Sequence, residues 1–321
     1  MLALLCALSL VPTYEAVGAP LRYGWERVDN LNIFFREAGS EHATTLVLLH
    51  GYPASSIQYD KLMSQLASTL HVIAPDYPAF GFSDAPDRTE YRYTFDHISE
   101  TVRHFLMAHG IHRYGLYMQD YGVPVGFRLM AGAPEEVAFI IVQNGVIHLD
   151  GFPAAQNPDG ELRSHWRNRN AAVDARRAAY AAGLAYPTPG NWSEDDRVSP
   201  EVMLVMRDSV QRPGVAAARN DLWHDYGDNV AHYPQWQALL KRLARPVLVI
   251  WGSRDEYFTV PGAIAYLRDA PAAEVHIIDS THFASMEDPD LVAPIVRAFA
   301  VRHALAAPLN GGSPGPRPTQ R

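Results

Sequence analysis

Apolar positions in this chain fall into two patterns. Short continuous runs stand at Leu31–Arg36 (LNIFFR), Thr45–His50 (TLVLLH), His71–Asp76 (HVIAPD), Tyr114–Gln119 (YGLYMQ), Val137–Gln143 (VAFIIVQ), Pro246–Gly252 (PVLVIWG) and Glu274–Asp279 (EVHIID). Runs of this length without polar alternation predict strands covered on both faces, as in a parallel sheet. Between them lie stretches with helical spacing. Thr94–His109 places Ile98, Val102, Phe105 and Leu106 on one face, and helices are also expected over Tyr59–Leu70, from about Val123 to Ala131, and over Ser199–Val210. Strands alternating with helices predict an α/β fold built on a mostly parallel, doubly covered sheet.

One interval breaks the rhythm. From Ile147 to Leu240 the chain is rich in Arg, Ala, Trp and Tyr and has no strand-like run. So long a gap between two sheet strands reads as an inserted helical domain. It is expected to sit over the strand ends, where open α/β sheets keep their ligand crevice. The expected organisation is therefore a core of residues 21–146 and 241–305 with a helical cap at 147–240. Residues 1–20, apolar from Leu2 to Val11, read either as a secretory signal or as a disordered extension. Their apolar run is too short to span a bilayer. Residues 306–321, with GGSPGPRP at their heart, read as a flexible tail.

Composition narrows the field. The 321 residues are 48% hydrophobic and 19% charged, an ordinary balance for a globular chain with a sizeable core. The net charge of −8 comes from interspersed residues, with no basic stripe for nucleic acid. The lone Cys6 excludes an internal disulfide and a cysteine-rich metal site, and none of the 14 histidines forms a His-x-x-x-His pair. No metal or other cofactor is expected.

The candidate chemistry centres on Met118-Gln119-Asp120-Tyr121-Gly122. An apolar strand, one acidic residue, a glycine two places on and a helix make the layout of a nucleophile elbow, with Asp where Ser is usual. The bland alternative is that Asp120 is only a helix N-cap, a position Asp favours. Three other segments weigh against it. His50-Gly51-Tyr52-Pro53 follows a strand directly, so the Tyr52 amide can join the Tyr121 amide as an oxyanion hole, while His50 and Pro53 build the turn. Asp255, in WGSRD, and His282, in DSTHF, each lie just beyond a strand end. The order nucleophile, acid, histidine is that of elbow hydrolases.

These motifs carry a resemblance. HGYP at 50–53, DYPAFGFSD at 76–84, MQDYG at 118–122, WGSRD at 251–255 and HFASMEDP at 282–289 resemble the α/β-hydrolase family, and within it the Asp-nucleophile branch of epoxide hydrolases and haloalkane dehalogenases. The similarity covers about Leu21 to His303. It implies an alkyl ester formed on Asp120 and cleaved by water that His282, oriented by Asp255, activates. Epoxide hydrolases of this branch protonate the leaving alkoxide from cap tyrosines, and Tyr226 roughly matches one of them; Tyr180, Tyr186 and Tyr233 are weaker candidates. Many dehalogenases bind halide through an Asn in the oxyanion turn and a Trp after the nucleophile. Here those positions hold Tyr52 and Tyr121, although Trp166, Trp223 or Trp236 of the cap can stand in. Epoxide hydrolysis to a diol is thus the expected reaction. Alternatives are haloalkane dehalogenation, a hydrolase of C–C or ester bonds using Asp120 to position water, and a non-catalytic ligand-binding protein. The expected partners are a small apolar organic substrate and water, without nucleic acid or a stable membrane span. The expected compartment is cytoplasmic, or secreted or periplasmic if residues 1–20 act as a signal.

Overall fold

The computed structural model describes residues 20–153, 166–184 and 197–304; the expected leader apart from Pro20, the tail, and Tyr186 lie outside the described residues. Eight strands form one sheet in the order β1-β2-β4-β3-β5-β6-β7-β8. They are β1 (Arg22–Val28), β2 (Leu31–Ala38), β3 (Thr45–Leu49), β4 (His71–Pro75), β5 (Tyr114–Gln119), β6 (Val137–Gln143), β7 (Val247–Gly252) and β8 (Glu274–Ile278). β2 runs antiparallel to both its neighbours, and every pairing from β4 to β8 is parallel.

The continuous apolar runs are explained by two separate packing faces. Successive side chains on a strand point to opposite sides. Val47, Leu49, Leu116, Met118, Ile140 and Val142 therefore pack on one face with α2 (Phe95–Ala108) and α3 (Gly122–Gly132). Leu46, Leu48, Tyr117, Phe139, Ile141 and Leu248 pack on the other with α1 (Asp60–Leu66) and a C-terminal helix over Pro289–Ala304. Thr94 caps α2 by accepting from the His97 amide, which is why that helix starts where the apolar spacing begins. β1 is different. It is an edge strand that leaves Tyr23 and Trp25 largely exposed and lacks the buried run of β3 to β7; the opposite edge strand, β8, expected to be covered on both faces, is only half-buried, with Ile277 exposed, because no strand lies beyond it.

Between β6 and β7 the described chain is helical: α4 (Ala171–Leu184), α5 (Pro200–Gln211) and α6 (Val215–Leu243). In α6 the buried residues Val215, Ala218, Leu222, Tyr226, Asn229, Tyr233, Trp236 and Leu240 recur every three or four positions, one stripe facing the sheet's strand ends and α3. After β7 come α7 (Val260–Ala265), α8 (Ala284–Glu287) and α9 (Pro289–Ala304). No helix among the described residues is long and apolar enough to cross a membrane.

Candidate active site

Asp120 leads the two-residue turn, with Tyr121, between β5 and α3 and has φ = 50°. This left-handed conformation is uncommon for a residue with a side chain, though Asp tolerates it better than most, and it turns the chain sharply enough to lift the carboxyl above the strand end. Two glycines make room. A Cβ on Gly51 would lie 2.5 Å from the Asp120 Cβ, and one on Gly122 would lie 2.1 Å from the Leu49 carbonyl oxygen. The Asp120 carboxylate does not cap α3, whose N-cap is Tyr121 and which has no side-chain cap. Its Oδ1 instead accepts from the Tyr52 amide at 2.7 Å, and the nearby Tyr121 amide also favours the charged carboxylate. Oδ2 has no hydrogen-bond donor among the described residues and lies 3.8 Å from His282 Nε2.

His282 follows β8 and is buried. Its Nδ1 is 2.8 Å from Asp255 Oδ2, which assigns the proton to Nδ1 and leaves a lone pair on Nε2. The Gln119 amide donates to that Nε2 at 2.8 Å, and Gln143 holds the His282 carbonyl at 3.0 Å. Asp255, beyond the end of β7, is saturated. Its Oδ1 accepts from the Tyr257 and Phe258 amides at 2.7 and 3.0 Å, and its Oδ2 also accepts from Asn144 Nδ2 at 2.7 Å. Three residues distant in sequence thus meet at the ends of three parallel strands.

Burial raises the Asp120 carboxyl, while His282 and the Tyr52 and Tyr121 amides oppose it; the net direction is up from the ordinary carboxylate value. For His282, burial works to lower the value, but the Asp255 charge and hydrogen bond, followed by Asp120, outweigh it, so the imidazole is raised above the usual histidine range. Such a pair loses its protons in steps that belong to both groups.

The sequence of an alpha/beta hydrolase fold family matches residues 44–289. The chain belongs to the α/β-hydrolase family. It is a hydrolase of the haloalkane dehalogenase-like type. "Uncharacterized hydrolase YNR064C" of Saccharomyces cerevisiae is 32% identical over 261 residues, spanning 80% of this chain and 89% of that protein. "Haloalkane dehalogenase 1" of Mycobacterium bovis is 34% identical over 226 residues, spanning 65% and 67%. Among solved structures, Cfl2 from Burkholderia cenocepacia superposes with a TM-score of 0.71 at 24% identity, covering 89% of this chain and 97% of that one, a likeness of fold.

The helical insertion of this α/β-hydrolase brings aromatic groups toward the site. The Tyr226 ring lies 5.7 Å from that of Tyr121 and stacks on Trp166 at 5.3 Å, and its buried hydroxyl lies near that of Tyr233. Burial keeps the Tyr226 phenol well above the usual tyrosine range, so it stays protonated. Trp166 Nε1 is buried with no hydrogen-bond partner among the described residues. The Trp223 ring lies 6.3 Å from Tyr52. Trp236 stacks instead on Phe127, with the Arg128 guanidinium over its face. His50 is fully buried beside the Gly51–Pro53 turn. It bonds the Gly51 carbonyl through Nδ1 and accepts the Tyr77 amide through Nε2, and burial holds its pKa down at about 3. The imidazole is a neutral strut.

Three residues in this environment were not flagged by the sequence: Gln119, Asn144 and Arg219. Gln119 and Asn144 carry a signal that was available, a polar side chain at the tail of an otherwise apolar strand. Arg219, on a helix of the insertion, carries none. Among the described residues no cluster of three or more His, Cys, Asp or Glu is placed to hold a metal ion.

Proposed function

We propose that this hydrolase opens epoxides to diols through an ester on Asp120, beneath a cap formed by residues 147–240. The observation that carries the proposal is the asymmetry of the Asp120 carboxylate. One oxygen accepts from the Tyr52 amide, and the other is free of donors among the described residues and lies 3.8 Å from His282 Nε2. Oδ2 attacks a ring carbon, the C–O bond breaks, and its electron pair goes to the ring oxygen. That oxygen takes the Tyr226 proton, a role supported by the buried, protonated phenol beside Tyr121. Water then takes the place of the Gln119 amide at His282 Nε2 and gives it one proton as it adds to the ester carbonyl carbon. The oxyanion forms at Oδ1, between the Tyr52 and Tyr121 amides. The acyl–oxygen bond breaks, the departing alkoxide takes the His282 proton, and the second water proton restores Tyr226. One oxygen of Asp120 now comes from water.

An Asp nucleophile disfavours ester cleavage, because attack on an ester would make an anhydride. Dehalogenation is the second reading. It is supported by the unpartnered Trp166 Nε1, a donor suited to a halide, and by the relative named a haloalkane dehalogenase.

A single turnover in heavy-oxygen water tests the route. Incubation with a panel of terminal epoxides and 1-haloalkanes should give diols from the epoxides and label in the peptide containing Asp120. Label with turnover of haloalkanes alone would replace the first reading by the second. Product without label in Asp120 would end both.

A further inference from the structure

Arg219 is buried to 2% of its surface and has no carboxylate in ion-pair contact among the described residues. Isolated buried charge is costly, so such a group is retained only where its bonds matter. Its three nitrogens go to three separate places. Nε donates to the Ala79 carbonyl at 3.2 Å, Nη1 to the Pro53 carbonyl at 3.2 Å, and Nη2 to Ser209 Oγ at 2.9 Å. The guanidinium also lies 4.3 Å from the centre of the Phe80 ring and 6.0 Å from that of Tyr52. One cation from α6 thus bridges α5, the 76–84 turn and the turn that carries the Tyr52 amide. The same 76–84 turn supplies the Tyr77 amide that fixes His50 against Gly51, so the oxyanion turn is braced from both sides.

We propose that Arg219 is a positioning residue for the oxyanion hole, clamping the Pro53 carbonyl so that the Tyr52 amide stays aimed at Asp120 Oδ1. None of the Arg219 hydrogen bonds reaches Asp120, so Arg219 works through the turn. This rests on the ester route proposed above, and that route gives the clamp a signature. When Asp120 is alkylated, its carboxylate loses negative charge, so a well-aimed amide at Oδ1 does not favour that step. When water adds to the ester, negative charge returns to Oδ1, and the amide favours that step. Loosening the clamp therefore slows hydrolysis of the ester and spares its formation.

The test is rapid-quench intact-mass measurement of the enzyme during turnover of a terminal epoxide, for wild type, Arg219→Met and Arg219→Lys. Losing one oxyanion donor costs about 10²–10³-fold in rate, and misaiming one should cost part of that, about tenfold or more in ester hydrolysis for Arg219→Met. The fraction of enzyme carrying the epoxide adduct should rise accordingly. Arg219→Lys keeps the charge but concentrates its donors on one atom, so it should show the same shift at smaller size and serves if Arg219→Met fails to fold. A purely structural role would lower the folded fraction and leave the adduct fraction of folded enzyme unchanged; that result overturns the proposal while leaving the ester route standing. A wild type that forms no adduct and takes no heavy oxygen into Asp120 overturns both. Equal slowing of the two steps in both variants also overturns the clamp.

Discussion

The β5–α3 and β7–α7 junctions each present a buried aspartate at the same end of the sheet, and they differ in what surrounds it. At β7, Asp255 accepts from two backbone amides, Asn144 and His282, so both oxygens are fully engaged. At β5, Asp120 accepts at Oδ1 from the Tyr52 amide and keeps Oδ2 free of donors among the described residues. A saturated carboxylate can orient an imidazole but has no lone pair left for carbon. A half-bare, poorly solvated one has a lone pair available and less water to shed. The two residues share chemistry and burial; hydrogen-bond count separates the roles proposed for them.

The sharpest way to break this contrast is to neutralise each in turn. Asp120→Asn should abolish adduct formation and lower turnover by about 10⁴-fold or more, measured by product release and intact mass. Asp255→Asn should leave adduct formation within a few-fold of wild type while slowing ester hydrolysis by about 10³-fold, because His282 loses the partner that fixes its tautomer. If Asp255→Asn stops alkylation, or Asp120→Asn slows only hydrolysis, the division of roles is wrong.

A smaller effect separates the two by pH. In the proposed route hydrolysis needs His282 neutral, and Asp255 raises its pKa, so the single-turnover rate of ester decay should rise with pH through a value above the ordinary histidine figure of about 6.5. A limb at or below that figure would mean that burial outweighs Asp255 in solution.

Smallest is the effect of loosening Asp255 without changing its charge. Asn144 donates to Asp255 Oδ2 and accepts the Gly252 amide at 2.9 Å. Asn144→Ala should cost about 1–3 kcal/mol of unfolding free energy, seen in a denaturant titration, and about tenfold in ester decay. Unchanged decay at reduced stability would show that three acceptor contacts hold Asp255 as well as four.

Much of this could be read along the chain. Unbroken apolar runs marked the covered strands, because each strand serves two cores, Leu46 and Leu48 on one side and Val47 and Leu49 on the other. Turn chemistry beside those runs singled out Asp120, Tyr52, Asp255 and His282, since a lone polar residue after a buried strand emerges where strands end. β1 was less legible because its aromatic side chains stay exposed at the sheet edge.

Local pattern fixes which residues leave a strand end, and that depends on spacing of a few positions. Whether a carboxylate ends bare or saturated depends on donors from elsewhere: Asn144 lies 111 positions from Asp255, and Gln119 lies 163 from His282. The same holds for Arg219, 166 positions from the Pro53 carbonyl it binds. Hydrogen bonds act over about 3 Å of space regardless of separation along the chain. Only the closed sheet, with its helical insertion folded back over the strand ends, brought those donors within that distance and left one oxygen of Asp120 without any.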